Sequence, residues 1–395
     1  MIIIDLLIYR CLNFFLFLGN IKKNPSKFNN FNDYNLYKYQ KVFSFLKANF
    51  WFEKNILYRS YYSMKKLFIN DYNFMPETYN YPDDKYLIEN KFKDYHLNLN
   101  DLWLIKPTNL CGGRGISFLF SLQIIQYKKY VITKYIINID LIKGKKYDIR
   151  FFVLISGLNP LRIYLYQEGI VRIASEKFLI TKSSIKNNFI HLTNFNINKL
   201  NKNYMSPNNS SDKNEIEWNF SRYISYLEGK NIDWENIKEK VKDIIIKIII
   251  CVHKKINEEN QRQNVYDQSF FDLLGFDIII TDHYIPKLIE INYIPDIRIY
   301  SNLQKPIKYN LFIDTLNLIG IIPFSRNTGE TLYKNFIYES DIDEKINNAL
   351  CELERPKGNY ELIFPTKINI SKYNKYFINN SKENLIFWDK ILSSQ

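Results

Sequence analysis

The sequence predicts an α+β fold, and three stretches carry that prediction. Between residues 101 and 175, short runs rich in Val, Ile, Tyr and Phe alternate with glycine breaks, the pattern of a sheet: DLWLIKP, GISFLF, YVITKYI, YDIRFFVLIS and LRIYLYQEGIVRIAS. Residues 234 to 252 place apolar groups at Trp234, Ile237, Val241, Ile244, Ile245, Ile248, Ile249 and Val252, the i, i+3, i+4 stripe of a core-facing helix. GFDIIITDHYIPKLIEIN, residues 275 to 292, reads as two apolar strands joined by a short loop at Asp282 to Ile285. With 395 residues, 46% of them hydrophobic and 16% aromatic, the chain can fill real cores, which excludes disorder throughout.

In chain order, the first segment is MIIIDLLIYRCLNFFLFLGN, apolar but interrupted by Asp5, Arg10 and Asn13. It reads as a partly buried, truncated domain edge rather than a signal peptide or membrane span. Residues 20 to 45 are rich in Asn, Lys and Tyr and read as a surface connection, followed by a helix near 55 to 68. The two prolines of FMPETYNYP mark an extended entry into the sheet-rich body. KLNKNYMSPNNSSDKN, 199 to 214, is a loop by composition, and the tail from about 325 is charged and helical in pattern. The expected division is an N-terminal region over 1–75, a catalytic core over 76–325 and a helical C-terminal extension over 326–395.

Cys11, Cys111, Cys251 and Cys351 lie far apart with no C-x-x-C pair, so neither a zinc site nor a disulfide framework is indicated and a reducing, intracellular compartment is expected. The formal net charge of +13 predicts attraction to polyanions, whether nucleotide phosphate, anionic lipid, nucleic acid or an acidic protein tail. No nucleic-acid recognition module accompanies that charge, and neither nucleic acid nor membrane is expected as a partner.

The hairpin raises a chemical question. Side chains flip face at each strand position, so Glu290 and Asn292 point together while Ile289 and Ile291 point away. Mirror pairing about the loop sets Thr281 opposite Pro286 and Asp277 opposite Glu290, holding two acids about 4.5 to 5.5 Å apart at Cβ. A cation would relieve the repulsion, and Asp277, Glu290 and Asn292 offer only the hard oxygen donors that Mg²⁺ prefers. A surface hairpin with solvated acids shows the same pattern.

Other polar groups interrupt the apolar runs. In KPTNLCGGRGI, Lys106 ends a strand and Gly112, Gly113 and Gly115 form a loop whose amides can approach phosphate; an ordinary turn fits as well. Lys146, Asp148 and Arg150 of KGKKYDIR share a strand face, and Arg172 sits inside the apolar run GIVRIAS, which calls for an anionic partner. HLTNFNIN adds His191, more often structural than catalytic, with Thr193 and Asn194. This inventory suits phosphoryl transfer, in which positioning and electrostatics supply most of the catalysis.

The ordered series WLIKP, GGRGI, VITKYI, GKKYDIR, LRIYLYQEGIVRIAS, HLTNFNINK, FDLLGFDIII, PKLIEINYIPDI and IKYNLFIDTLNLIG resembles the tubulin tyrosine ligase-like family, which has an ATP-grasp type fold. ELERPKGNYELIFPT resembles a segment that follows the core in the family's polyglutamylase branch. The resemblance implies an ATP- and Mg²⁺-dependent ligase that joins free L-glutamate to glutamate side chains of tubulin tails through an acylphosphate, in the cytoplasm on the microtubule cytoskeleton, including that of a cilium or flagellum. It implies that Lys106 and Lys146 contact ATP phosphates beside the amides of Gly112 and Gly113. Thr133, Lys134, Tyr135 and Ile136 would line the adenine site, with Tyr147 and Asp148 facing the nucleoside. Asp277, Glu290 and Asn292 match the Mg²⁺ ligands, and Arg150, Arg172 and Glu290 the catalytic groups. Thr193, Asn194, Arg172 and Lys308 would handle phosphate, the incoming amino acid and the reacting carboxylate. The pattern departs where Thr133 replaces a usual Gln, where Gly112 replaces a basic residue, where Glu217 replaces a Lys before Trp218, and at Ile294 to Asp296. The same chemistry with glycine or tyrosine, and a silent microtubule-binding protein, are the alternatives.

Overall fold

The computed structural model describes residues 41–45, 47–108, 110, 112–122, 129–201, 216–262, 267–321, 342–378 and 380–394. The apolar N-terminal segment, Cys11, Cys111 and most of the 199–214 loop lie outside these residues. Among the described residues no helix is long and apolar enough to cross a membrane.

In chain order the strands are β1 (Val42–Phe43), β2 (Thr78–Tyr81), β3 (Trp103–Pro107), β4 (Ser117–Phe118), β5 (Tyr130–Lys134), β6 (Leu141–Ile142), β7 (Lys145–Leu158), β8 (Leu161–Ile173), β9 (Glu217–Trp218), β10 (Phe270–Ile280), β11 (Pro286–Tyr293) and β12 (Tyr360–Phe364). They form a mixed α+β architecture with two sheets. The larger runs β1-β10-β7-β8-β12, with β11 beside β10, β6 beside β7 and β9 beside β8. The smaller, antiparallel sheet runs β2-β5-β3-β4.

Strand alternation explains how one sheet serves both core and site. On β7, Ile149, Phe151, Val153 and Ile155 join the core with Trp234, Ile237, Val241 and Ile245 of the helix Trp234–Arg262. The opposite face carries Phe152 and Leu154, which pack with Leu311 and Leu318 of the helix Gln304–Ile319. Toward the start of β7, that second face changes from apolar groups to Arg150, Asp148 and Lys146. On β10, Phe271 and Leu273 on this face likewise give way to Gly275 and Asp277, and on β8, Tyr164 and Tyr166 give way to Arg172. A buried polar patch therefore opens where the apolar cover ends.

Several sequence expectations change. Asp277 does pair with Glu290, but Pro286 faces Ile280 rather than Thr281, and a bulge between Asp277 and Ile278 restores the expected pairing one step farther on. The hairpin turn closes with Tyr284 N–H donating to the Thr281 carbonyl at 2.9 Å, so the loop begins earlier than mirror symmetry places it. The long helix continues past Val252 to Arg262 because its buried stripe goes on through His253, Asn257 and Asn260, polar residues that periodicity does not count. Val42, Phe45, Phe52 and Leu57 lie in the main core, and β1 pairs parallel with β10. The C-terminal tail is helical over Ile342–Leu353 and Lys382–Ser393, yet it also adds β12 to the edge of the main sheet.

Candidate active site

Register across the main sheet sets the charges in rows. Asp277 lies between Arg150 on β7 and Glu290 on β11, while Arg172 lies between Asp148 on β7 and Glu217 on β9. Opposed residues share a face, so these groups meet. Arg150 clasps Asp277 with two donors, one Nη2–Oδ2 bond measuring 2.9 Å, and Arg172 Nη2 reaches the same Oδ2 at 2.9 Å. Arg172 Nε donates to Asp148 Oδ1 at 2.6 Å, and the Thr193 hydroxyl donates to the other oxygen of Asp148. Gly275 makes room for this arrangement, since a Cβ there would stand 3.0 Å from Arg150 Cδ.

These contacts revise the charge argument for the hairpin. Burial alone would raise the Asp277 pKa, but the two guanidiniums outweigh it and hold the carboxyl well below its usual range. The protein itself thus offsets much of the repulsion between Asp277 and Glu290. Asn292 Nδ2 lies 3.0 Å from Asp277 Oδ2 and 3.4 Å from Glu290 Oε1, so all three side chains converge. Their oxygen donors fit Mg²⁺, and among the described residues no three His, Cys, Asp or Glu side chains form a closed metal site. Phosphate and water oxygens would complete the shell of a bound ion.

Facing this cluster are two buried lysines from different sheets. Lys106 of β3 is 6% exposed, and its ammonium makes no hydrogen bond or ion pair among the described residues. Burial lowers its pKa, Glu290 and Asp277 oppose that, and Lys54 adds to it. Lys146 of β7 donates to Tyr135 Oη at 3.2 Å and lies 4.5 Å from the centre of that ring. Burial brings its pKa down to about 7, against the pull of Asp148. A buried ammonium lacking an acceptor is the feature an anionic ligand would satisfy.

Both ring nitrogens of His191 are engaged, one of them by Tyr135. Its Nδ1 is 3.0 Å from Tyr135 Oη and its Nε2 is 3.2 Å from the Ser184 carbonyl, while burial lowers its pKa to about 4. The glycine loop reaches the site from the other side. Gly112 and Gly113 have φ of +68° and +79°, and a Cβ on Gly113 would stand 2.8 Å from Asn194 Oδ1, so this loop abuts the HLTN segment. Lys308 donates to the Arg298 carbonyl at 2.6 Å and to Gln304 Oε1 at 2.8 Å, and Gln304 Nε2 donates to Glu217 at 2.6 Å. Burial lowers the Lys308 pKa to about 8 and raises that of Glu217.

Some expected residues turn elsewhere. Tyr147 requires correction: it sits between Lys146 and Asp148, so its ring faces the opposite core, where its hydroxyl lies 2.9 Å from Asp140 and bonds Tyr223. The Thr133 hydroxyl pairs with that of Thr78 across β5 and β2. Lys134 points to Asp101 at 3.1 Å on the outer face, and Ile136 is half-buried beyond the strand end. These positions turn the side chains of Tyr147, Thr133 and Lys134 away from the lysine and carboxylate groups. Sequence reasoning missed Lys54, whose ammonium lies 4.0 Å from Glu290 Oε2, and Ser301 and Gln304, which donate to Glu217 at 2.9 and 2.6 Å; no local pattern marks them.

A family model for the tubulin-tyrosine ligase family matches residues 32–328, three quarters of the chain. The chain belongs to the tubulin-tyrosine ligase family. Its family relatives include the human tubulin polyglutamylase TTLL6, 29% identical over 363 residues, which cover 87% of this chain and 40% of that protein. A probable beta-tubulin polyglutamylase of Tetrahymena thermophila is 29% identical over 367 residues, 86% of this chain and 30% of the relative. The mouse tubulin monoglutamylase TTLL4 is 30% identical over 271 residues, 68% of this chain and 22% of the relative. The chain thus spans less than half the length of these family members.

Proposed function

We propose that this chain is an ATP- and Mg²⁺-dependent ligase of ATP-grasp type that adds glutamate to glutamate side chains of tubulin tails. The observation that carries this reading is the buried Lys106 ammonium, which lacks a hydrogen-bonding partner among the described residues and faces the oxygen cluster of Asp277, Glu290 and Asn292. Relatives named for tubulin polyglutamylation and monoglutamylation supply the amino acid and the acceptor. The cytoplasmic microtubule cytoskeleton is the place of action that follows.

In this reading Lys106, Lys146 and the amides of Gly112 and Gly113 bind the nucleotide phosphates, and Asp277, Glu290 and Asn292 hold Mg²⁺. The ion supplies Lewis-acid stabilisation of phosphate charge. The acceptor carboxylate attacks the γ-phosphorus, the bond to ADP breaks, and an acylphosphate forms. The amine of free glutamate attacks the acyl carbon and gives up a proton, and phosphate leaves. Arg150 and Arg172, locked in place by Asp277 and Asp148, present fixed positive charge to the reacting carboxylate at no reorganisation cost. In the same reading Lys308 and Thr193 orient the amino acid and phosphate, and the net charge of +13 favours an acidic tail, an attraction that salt weakens.

The reading is tested by incubating purified protein with ATP, Mg²⁺, tubulin and each labelled amino acid separately. Label from glutamate is expected. Label from glycine or tyrosine alone would overturn the choice of amino acid.

A pH effect follows from Lys146. With its pKa at about 7 in the free protein, the side chain is largely neutral at pH 8. A phosphate beside it favours the charged form, so ATP binding at pH 8 is expected to take up protons. Binding enthalpies measured in two buffers of different ionisation enthalpy should therefore differ, and Lys146→Met should reduce the difference. Because the folded pKa is depressed, the unfolded chain binds more protons between about pH 7 and 10.5, so this group's burial costs most stability below that window.

A further inference from the structure

Glu217 is a buried carboxylate held by neutral groups. It is 6% exposed and lies opposite Arg172 across β8 and β9, yet it makes no ion pair among the described residues. The guanidinium of Arg172 is engaged by Asp148 and Asp277 instead. The Ser301 hydroxyl donates to Glu217 Oε2 at 2.9 Å, and Gln304 Nε2 donates to Oε1 at 2.6 Å. At its other end the buried Gln304 amide accepts from Lys308, one turn further along the helix Gln304–Ile319, at 2.8 Å. A carboxylate only accepts and an ammonium only donates, so the two neighbours fix which way this amide faces. Negative charge, oriented amide and positive charge are thus joined in one chain of hydrogen bonds. A direct ion pair with Glu217 would occupy the Lys308 ammonium. With glutamine between them, the three N–H groups of Lys308 meet two acceptors among the described residues, Gln304 Oε1 and the Arg298 carbonyl, both neutral. One donor is left for a ligand, and Glu217 still favours the charged form of Lys308 from a distance.

We propose that Glu217 is a positioning residue that acts through Gln304, holding the Lys308 ammonium charged and oriented for a carboxylate of the free amino acid. The relay stands on the hydrogen bonds themselves, and the identity of the carboxylate rests on the ligase reading. Four charged groups face Lys308: Asp296 and Arg298 from the segment after β11, Glu217 from β9 and Arg150 from β7. Burial brings its pKa down to about 8, although Asp296 and Glu217 raise it, and the two arginines lower it further. Loss of the Glu217 charge therefore moves the titration of Lys308 to lower pH. Fewer of these side chains are then charged at pH 8, while little changes at pH 6.5.

The test compares Glu217→Gln with the parent in the full chain, with Lys305→Ala, an exposed position on the same helix, as a control. Glutamine keeps an acceptor for Gln304 and removes the charge. At pH 8 the KM for free glutamate is expected to rise about tenfold, with kcat and the KM for ATP within about twofold of the parent. The ratio of variant to parent glutamate KM should shrink toward one at pH 6.5, which a general loss of structure would not produce. Gln304→Met should raise the same KM, and the double variant should be no worse than the more impaired single one, because both cut one relay. An unchanged glutamate KM at pH 8 would overturn the inference, as would a loss that persists at pH 6.5 or that adds fully in the double variant. A parent protein that binds ATP but ligates no glutamate would instead overturn the ligase reading. The relay is then read by NMR titration of isotope-labelled lysine side chains, with the Lys308 signal assigned through Lys308→Met. A lower midpoint in Glu217→Gln supports the relay, and an equal midpoint overturns it.

Discussion

Glu290→Gln is expected to abolish amino-acid ligation while sparing microtubule binding. Glutamine keeps the shape and one oxygen acceptor but removes the charge that meets Asn292 at 3.4 Å and Lys54 at 4.0 Å. Of the two paired acids, Asp277 is already bound by Arg150 and Arg172, so Glu290 is the carboxylate whose charge remains most available to a bound ion. Losing the proposed metal ligand and its electrostatic support is expected to lower turnover by about 10² to 10³-fold or more. The proposed attraction to an acidic tubulin tail would follow the net charge of +13, which this substitution does not weaken. Label incorporation and co-sedimentation with microtubules measure the two properties separately. Near-parental ligation would remove Glu290 from the chemistry.

Glu352→Ala is expected to destabilise the main sheet, although Glu352 lies far along the chain on the helix Ile342–Leu353. It is 4% exposed and accepts from Arg162 at 2.9 and 3.2 Å, from Tyr164 at 3.0 Å and from the Ser156 hydroxyl. Arg162, itself 1% exposed, also donates to the Pro160 carbonyl and to Gln268, and a Cβ on Gly157 would overlap its guanidinium. Removing the carboxylate leaves a buried positive charge short of its partner, which costs about 3–5 kcal/mol. Urea unfolding measures the loss, and Glu352→Gln, which retains a hydrogen-bonding oxygen, should lose less. Burial pushes the Glu352 pKa up, but Arg162 outweighs it and the net shift is downward. The contribution is therefore present above the ordinary glutamate pKa and is lost as pH falls through the depressed one. An unfolding free energy equal to the parent's would show that the helix Ile342–Leu353 is only loosely attached.

Much of the candidate site was legible in strand parity. Lys146, Asp148 and Arg150 share a face because they alternate, and the same rule places Tyr147 in the opposite core. The Asp277–Glu290 pair was reached although the turn was misplaced by one residue, because the bulge at Ile278 absorbs that error. Long-range contacts were not legible. Nothing near Lys54 in the chain points to Glu290, and the short β9 gives no sign that Glu217 will face Arg172. The helical tail was visible by period, whereas β12 was hidden because its five residues belong to a sheet built mainly by the preceding chain.

That same separation limits what any single motif says about the chemistry. The site gathers residues from β3, β7, β8, β10 and β11, from the helix Lys54–Leu67 and from the helix Gln304–Ile319. In the proposed reaction these groups join glutamate to a tubulin side chain at the expense of ATP. Mass spectrometry of tubulin incubated with the protein, ATP, Mg²⁺ and isotope-labelled glutamate tests it most directly. Labelled glutamate in isopeptide linkage on tail glutamates is expected, absent when ATP is omitted and absent with Glu290→Gln. Unmodified tubulin in the presence of protein shown to bind ATP would contradict it.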